Sequence, residues 1–342
     1  MEADLKRIKM AHGGGGRLSQ ELLEQVIIPI LGPEDGVMHD AALITMCGQH
    51  LAFSTDSYVV RPIRFPGGDI GELAVTGSVN DLAMAGASPV ALSLALIIEE
   101  GFEIEYLVQI LESISKTSKT IGVNVITGDT KVVERGCGDG LYINTTAIGH
   151  IAHNLKIGPR AVCPGDAVLV SGDLGRHGLA VLSARAKLGL RSTLKSDVAC
   201  LLPPVEALLA AGLEIHCLRD LTRGGLLSAC DEIARGGPCT MRLTEDLIPV
   251  HPSVKAASEI LGIDPLAMAN EGRMLVICPE QQAEMALSIL RTFRAEAARI
   301  GTVGPRPMHS SLDERYPVSL LTALGVNHPV ILSNGEDAPR IC

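Results

Sequence analysis

Residues 123–131 read Val123-Asn124-Val125-Ile126-Thr127-Gly128-Asp129-Thr130-Lys131. The β-branched run 123–127 predicts a strand, and Gly128 predicts its end. A carboxylate then stands where the chain leaves the sheet, with a lysine two residues on. The same grammar recurs upstream. Leu51-Ala52-Phe53-Ser54-Thr55 predicts a strand ending on Asp56, and His39-Asp40 precedes the apolar Ala41-Ala42-Leu43-Ile44. Helical segments alternate with these strands. Gly67-Gly68-Asp69-Ile70-Gly71 opens a helix that carries Asn80-Asp81 and ends near Gly86. Leu107, Ile110, Leu111 and Ile114 have helical spacing within 105–121. Residues 91–98 predict a buried strand and 141–148 another. The alternation predicts an α/β (α+β) chain.

The character changes over 150–163, where Gly158-Pro159 and Pro164-Gly165 mark a domain boundary. A strand at 167–171 opens the second half. Gly172-Asp173-Leu174-Gly175-Arg176-His177-Gly178 links it to a helix over 179–188 and does not fit a dinucleotide-binding G-x-G-x-x-G loop. Leu218-Arg219-Asp220-Leu221-Thr222-Arg223-Gly224-Gly225 precedes a helix over 226–233, and its charged groups suit an anion or nucleotide. Glu271, beside Gly272 and before a strand at 274–278, reads as a turn residue or a general base. Residues 281–299 predict a helix.

Composition narrows the class. The 342 residues are enough for two domains, and aromatics make up 2% with no Trp, so the core is built from Ala, Val, Leu and Ile. Twenty-nine basic against 39 acidic side chains give a net charge of −10. That argues against nucleic acid or an anionic membrane as partner, but admits a nucleotide whose charge a metal neutralises. The nine cysteines lack a C-x-x-C pair and sit mostly among apolar residues, which predicts free thiols in a reducing cytoplasm. Residues 1–6 lack a signal-peptide apolar region, and the longest apolar run is far short of a membrane span.

Three features carry chemistry. His12-Gly13-Gly14-Gly15-Gly16-Arg17 is either a flexible leader or a loop whose N–H groups close over phosphate; it is not a G-x-x-x-x-G-K-[ST] loop. Asp40, Asp56, Asp81, Asp129 and Asp220 each stand at a predicted strand end or inside a small-residue helix. Several such carboxylates in one cleft would hold Mg²⁺, a hard cation that takes oxygen ligands. Finally, Pro339-Arg340-Ile341-Cys342 follows a run over 332–339 that reads as an extended arm. Its cysteine is either incidental at a frayed terminus or a thiolate carrier that is loaded in one place and processed in another.

The motifs His12–Gly16, Phe53–Tyr58, Phe65–Gly68, Asn80-Asp81, Val125–Lys131, Arg219–Gly225, Asn270–Gly272 and Pro339–Cys342 occur in this order in the HypE family of hydrogenase-maturation carbamoyl dehydratases, which the whole chain resembles. The Asp pattern is shared with the wider superfamily of AIR synthetase, selenophosphate synthetase and thiamine-phosphate kinase; the terminal P-R-I-C is particular to HypE. The resemblance implies an AIR synthetase-like two-domain fold paired as a homodimer through N-terminal-domain strands. It implies a glycine-rich lid and helix over 1–37, an ATP-binding domain over 38–155, a second domain over 156–308 and a terminal segment and arm over 309–342. It further implies that a HypF-type carbamoyltransferase loads Cys342. ATP and Mg²⁺ then drive loss of water to a thiocyanate, and the cyanide passes to a HypC–HypD complex for the iron of the hydrogenase. Carried over by motif, His12, Gly13, Gly14, Gly15, Gly16, Asp40, Asp56, Asp81, Asp129 and Asp220 hold Mg-ATP, with the five Asp on the metal. Glu271 is the base, and Lys131 stabilises negative charge. Two positions depart from the superfamily pattern: His39 replaces a frequent second Asp, and Gly14 a frequent Ser or Ala.

Overall fold

A computed structural model describes residues 7–31, 39–185, 193–306, 316–334 and 340–342. A short helical run, α1 (Arg17–Leu22), a π turn (Leu23–Ile27) and α2 (Ile28–Leu31), follows the glycine segment. The first sheet is built from β1 (Ala42–Met46), β2 (Gln49–Tyr58), β5 (Ser88–Glu99), β6 (Asn124–Val133) and β7 (Leu141–Ile151), in the order β1-β2-β7-β5-β6. A two-stranded ribbon, β3 (Arg64–Phe65) and β4 (Gly68–Asp69), leads into α3 (Ile70–Met84); α4 (Ile104–Ile121) joins β5 to β6.

The second sheet has the order β14-β13-β10-β12-β8-β11-β9. Its strands are β8 (Ala167–Val170), β9 (Cys217–Asp220), β10 (Cys239–Thr244), β11 (Met274–Cys278), β12 (Ala298–Pro305), β13 (Val318–Leu321) and β14 (Asn327–Pro329). Around it lie α5 (Arg176–Ala184), α6 (Leu202–Ala210), α7 (Gly225–Gly236), α8 (Pro252–Leu261) and α9 (Ala283–Phe293).

Helix α3 organises the molecule. Its sequence is apolar on all sides, as a helix buried on all sides must be, and nearly every residue from Ile70 to Met84 is buried. Asp69 caps it by accepting the N–H groups of Gly71 and Glu72. The helix packs against β2 and β7 of the first sheet and against β9 of the second. Small residues permit this approach: a Cβ on Gly77 would stand 2.2 Å from the Tyr58 hydroxyl. One helix thus touches both sheets, and side chains on its surface meet residues from each.

The two faces of the first sheet differ. Along β2, Ala52, Ser54 and Tyr58 are buried while Phe53, Thr55 and Ser57 are exposed; β7 alternates likewise. The buried set faces α3. The opposite face lacks a covering helix among the described residues and exposes Phe53, Ile97 and Ile148. Residues 91–98 therefore form part of a strand with one covered face, not a strand buried on both. Between Leu92 and Ser93 the register with β6 slips, so Ile126 is an extra residue in β6.

Four sequence expectations change. The strands through Asp56 and Asp129 do not end there: β2 continues to Tyr58 and β6 to Val133. Gly128 is followed by ladder pairing to β5, which overrides the local signal for a turn. The helix expected over 281–299 stops at Phe293, where Arg294 is extended, and Ala298 starts β12. Ala295-Glu296-Ala297-Ala298 has helical propensity, but pairing with β8 and β10 decides the outcome. The helix expected over 179–188 starts earlier, at Arg176, and stops at Ala184, where Arg185 is extended; residues 186–188 lie outside the described residues.

Candidate active site

Asp81 sits on the C-terminal half of α3, Asp220 at the end of β9, and Asp40 just before β1. One carboxylate oxygen from each lies within 4.8 Å of the others. Asp56 belongs to the same region. It points to the α3 side of β2 because it shares the parity of Ser54 and Tyr58, and it accepts the Tyr58 hydroxyl at 3.1 Å. Ser54 donates to Asp81. Burial raises the affinity of Asp81 for a proton, and Asp56, Asp220 and Asp40 raise it further. Burial likewise pushes Asp220 up to about 6, against the pull of Arg219. Like charges this close resist ionising together, and a divalent cation removes the conflict. Asp40 Oδ2 is buried without a hydrogen-bond partner, which is what a carboxylate offered to a cation looks like. The donor set, all oxygen, fits Mg²⁺.

Arg219 has a different place from the anion site its sequence suggests. Its Nε donates to Asp40 Oδ1 at 2.9 Å, and its far end pairs with Glu232 of α7. The guanidinium therefore occupies one oxygen of Asp40 and leaves the other free. Sequence reading could not find this role, because Asp40, Arg219 and Glu232 converge from separate stretches. His39 turns its Nδ1 to the Asp40 N–H at 2.7 Å; burial lowers its pKa to about 3, so it stays neutral.

The glycine segment is anchored rather than loose. Gly15 N–H donates to Ser19 Oγ at 2.9 Å, and Ser228 Oγ donates to Gly15 O at 2.7 Å. Gly15 has φ +74°, and a Cβ there would lie 2.5 Å from the backbone of Arg223. His12 is buried, and its Nδ1 accepts the Lys9 N–H at 2.8 Å. Gly13, Gly14 and Gly16 line a cavity of about 310 Å³ together with Arg223, Arg340 and Cys342.

Arg340, Ile341 and Cys342 are docked within the molecule. Residues 335–339 of the expected arm lie outside the described residues, but its tip is held. Val59 N–H donates to Cys342 O at 3.2 Å and Arg61 N–H to Arg340 O at 3.3 Å. His177 Nε2 bonds Ile341 O at 2.9 Å while its Nδ1 bonds Ser196 Oγ. Arg185 donates to Arg340 O at 2.7 Å, and the Arg340 side chain pairs with Asp139. Ile341 is buried in the main core. Burial raises the pKa of the Cys342 thiol, and the nearby Glu271 carboxyl raises it further, while Arg223 opposes both. Burial also raises Glu271, with Asp220, Asp197 and Asp56 adding to it. Its Oε1 is buried and unpartnered.

Asp129 and Lys131 are not brought to this cluster. They pair with each other at 3.0 Å and are 59% and 70% exposed. Asp129 is partnered with Ala95 and Lys131 with Ile97 in the ladder. They therefore point to the uncovered face, opposite α3.

With this geometry in hand, comparison with known proteins is direct. Residues 38–151 match AIR synthase related protein, N-terminal domain, and residues 163–313 match its C-terminal domain. Carbamoyl dehydratase HypE of Rhodobacter capsulatus is 43% identical over 340 residues, 98% of each chain. That of Azotobacter vinelandii is 44% identical over 338 residues, 98% of this chain and 97% of its own. A crystal structure of HypE in complex with ATP superposes with a TM-score of 0.82 at 42% identity, covering 98% of this chain and 100% of that one. HypE from a HypE–HypF complex superposes at 0.83 with 40% identity, covering 90% and 98%. Thiamine monophosphate kinase from Aquifex aeolicus, at 18% identity and a TM-score of 0.62, shares the fold. The chain belongs to the HypE family of the AIR synthase related proteins.

Proposed function

We propose that the chain is a carbamoyl dehydratase: it converts an S-carbamoyl group on its own Cys342 to a thiocyanate at the expense of ATP, as a source of cyanide for hydrogenase iron. The observation that supports this best is the seat of Cys342. Its thiol stands beside Glu271 and Arg223, on a cavity lined by the glycine segment and close to the carboxylate cluster.

The roles follow from position. Asp40, Asp56, Asp81 and Asp220 hold Mg²⁺, and Gly13 to Gly16 with Arg223 receive the phosphates. Bound ATP supplies the phosphoryl group that turns the carbamoyl oxygen into a leaving group and carries it off as phosphate. Glu271 takes one proton from the carbamoyl nitrogen and the departing phosphate takes the second; a buried carboxylate is a stronger base than an exposed one. Arg223 balances negative charge at the reacting sulfur and oxygen. Burial of Ile341 beside the half-buried Cys342 limits the access of water to the thiocarbamate.

The site in one protomer lacks Lys131 and Asp129. We assign them to a second copy. Two first sheets packed by their exposed faces would bury Phe53, Ile97 and Ile148 and carry each Lys131 towards the partner's cavity. A HypF-type carbamoyltransferase loads Cys342, in keeping with the solved complex of relatives, and a HypC–HypD complex accepts the cyanide. The cytoplasm suits nine free thiols, and no helix among the described residues is long and apolar enough to cross a membrane.

The test is intact mass of the full chain with HypF, carbamoyl phosphate and Mg-ATP, followed by mapping of the C-terminal peptide. The expected result is a carbamoyl adduct on Cys342 that loses one water when ATP is present. A Cys342 that stays unmodified beside a control HypE that reacts would refute the proposal and point to a free small-molecule substrate.

A further inference from the structure

At the end of the second sheet opposite Asp220, three side chains of mixed chemistry converge. Cys163 and Asp166 flank the turn Cys163-Pro164-Gly165-Asp166, which leads into β8. His216 precedes β9, which runs beside β11 and in the same direction as β8. The Cys163 sulfur, an Asp166 carboxylate oxygen and a His216 ring nitrogen lie within 4.8 Å of one another.

The turn explains the juxtaposition. Pro164 and a Gly165 with φ +96° occupy its two central positions, and the Asp166 N–H returns to Cys163 O at 3.1 Å. Residues at the first and fourth positions of such a turn project side by side. Cys-x-x-Asp is thus placed as Cys-x-x-Cys is in a zinc-binding turn, with a carboxylate for the second thiolate. Gly165 N–H is tied to Val303 O and His216 N–H to Ile277 O, so both ligand-bearing segments are fixed by the sheet. Asp166 Oδ2 accepts the Cys163 N–H and bonds His216 Nδ1, each at 2.7 Å. Those bonds hold the carboxylate and the imidazole together and leave the exposed Cys163 thiol beside them, donating weakly to Ala161 O at 3.5 Å. Glu214 approaches the other ring nitrogen at 3.3 Å.

We propose that Cys163, Asp166 and His216 form a zinc site, with solvent completing a tetrahedron and Glu214 orienting the imidazole from its other nitrogen. Zinc–ligand bonds of about 2.0–2.3 Å set tetrahedral donors roughly 3.3–3.7 Å apart, inside the 4.8 Å that spans the three donors, and the Asp166–His216 contact opens to admit the ion. Sulfur and imidazole select zinc over Mg²⁺, so this site and the carboxylate cluster do not compete for the same ion. Binding releases the thiol proton of Cys163 and exchanges the Asp166–His216 hydrogen bond for two metal bonds. The ion would clip the turn before β8 to the start of β9, remote from Cys342.

The test needs neither ATP turnover nor carbamoylation. The full-length Cys342→Ser chain, stripped of metal and held in excess Mg²⁺ to fill oxygen sites, is titrated with Co²⁺. The expected result is one equivalent of tetrahedral cobalt, with a thiolate-to-cobalt charge-transfer band that one equivalent of Zn²⁺ abolishes. Cys163→Ser, an exposed change, removes the band while far-ultraviolet dichroism and Mg-ATP binding stay as in the parent. His216→Ala weakens the metal. A parent without the band, or a band that survives Cys163→Ser, overturns the proposal.

Discussion

At the scale of single residues, the site turns on how Asp40 is held. Arg219 takes one of its oxygens and leaves the other, proposed to bind Mg²⁺, without a hydrogen-bond partner. Arg219→Gln should therefore raise the Mg²⁺ concentration for half-maximal ATP hydrolysis about tenfold, the worth of a lost charge-assisted hydrogen bond. A Mg²⁺ titration at saturating ATP checks this; an unchanged midpoint would leave Arg219 a purely structural role. The glycines differ among themselves in a way composition does not reveal. Gly15 has a left-handed backbone pressed on Arg223, whereas a Cβ on Gly13 meets nothing within 4 Å. Gly15→Ala should cost about 1–2 kcal/mol in backbone strain alone and abolish tight nucleotide binding. Gly13→Ala should stay within about 0.5 kcal/mol of the parent in thermal unfolding.

At the scale of elements, the terminal tripeptide is held by a helix and by the segment after β2. His177 on α5 bonds its backbone, and burial lowers the pKa of that imidazole. With a native value below the unfolded one, its contribution is complete above about pH 6.5 and is lost as pH falls through the lowered value. The docked tip should loosen on acidification, read as faster alkylation of Cys342 at pH 5.5 than at 7 after correction for thiolate content. His177→Gln should flatten that dependence. Elements were legible in the sequence where local pattern and tertiary need agree. Asp81 stood out because a carboxylate in an apolar small-residue helix needs partners, and it has them. Asp56 and Asp129 were legible as residues but not as positions, since neighbouring strands extend β2 and β6 past the local stop signals. His177, Asp139 and Ser54 gave no signal at all. Their roles exist through contacts with distant segments, and nothing in their own surroundings marks them.

At the scale of the whole molecule, the proposal that Lys131 and Asp129 act in a second copy can be tested directly. Ile97→Asp with Ile148→Asp, two exposed apolar positions on the uncovered face of the first sheet, should yield a monomer by light scattering that lacks dehydration. Mixing inactive Lys131→Ala chains with inactive Cys342→Ala chains should restore part of the activity, because each hybrid contains one complete site; a mixture that stays inactive refutes a shared site. The extra residue at Ile126 gives this arrangement an unexpected tolerance. The bulge takes it up between the pairs Leu92–Val125 and Ser93–Thr127, so its removal leaves a regular ladder with Asp129 still opposite Ala95 and Lys131 still opposite Ile97. A second residue lost before Asp129 has no bulge to absorb it, and would turn Asp129 and Lys131 to the other face. Among descendants of this gene, one lost codon here would pass unseen, and the next would act as a loss of function.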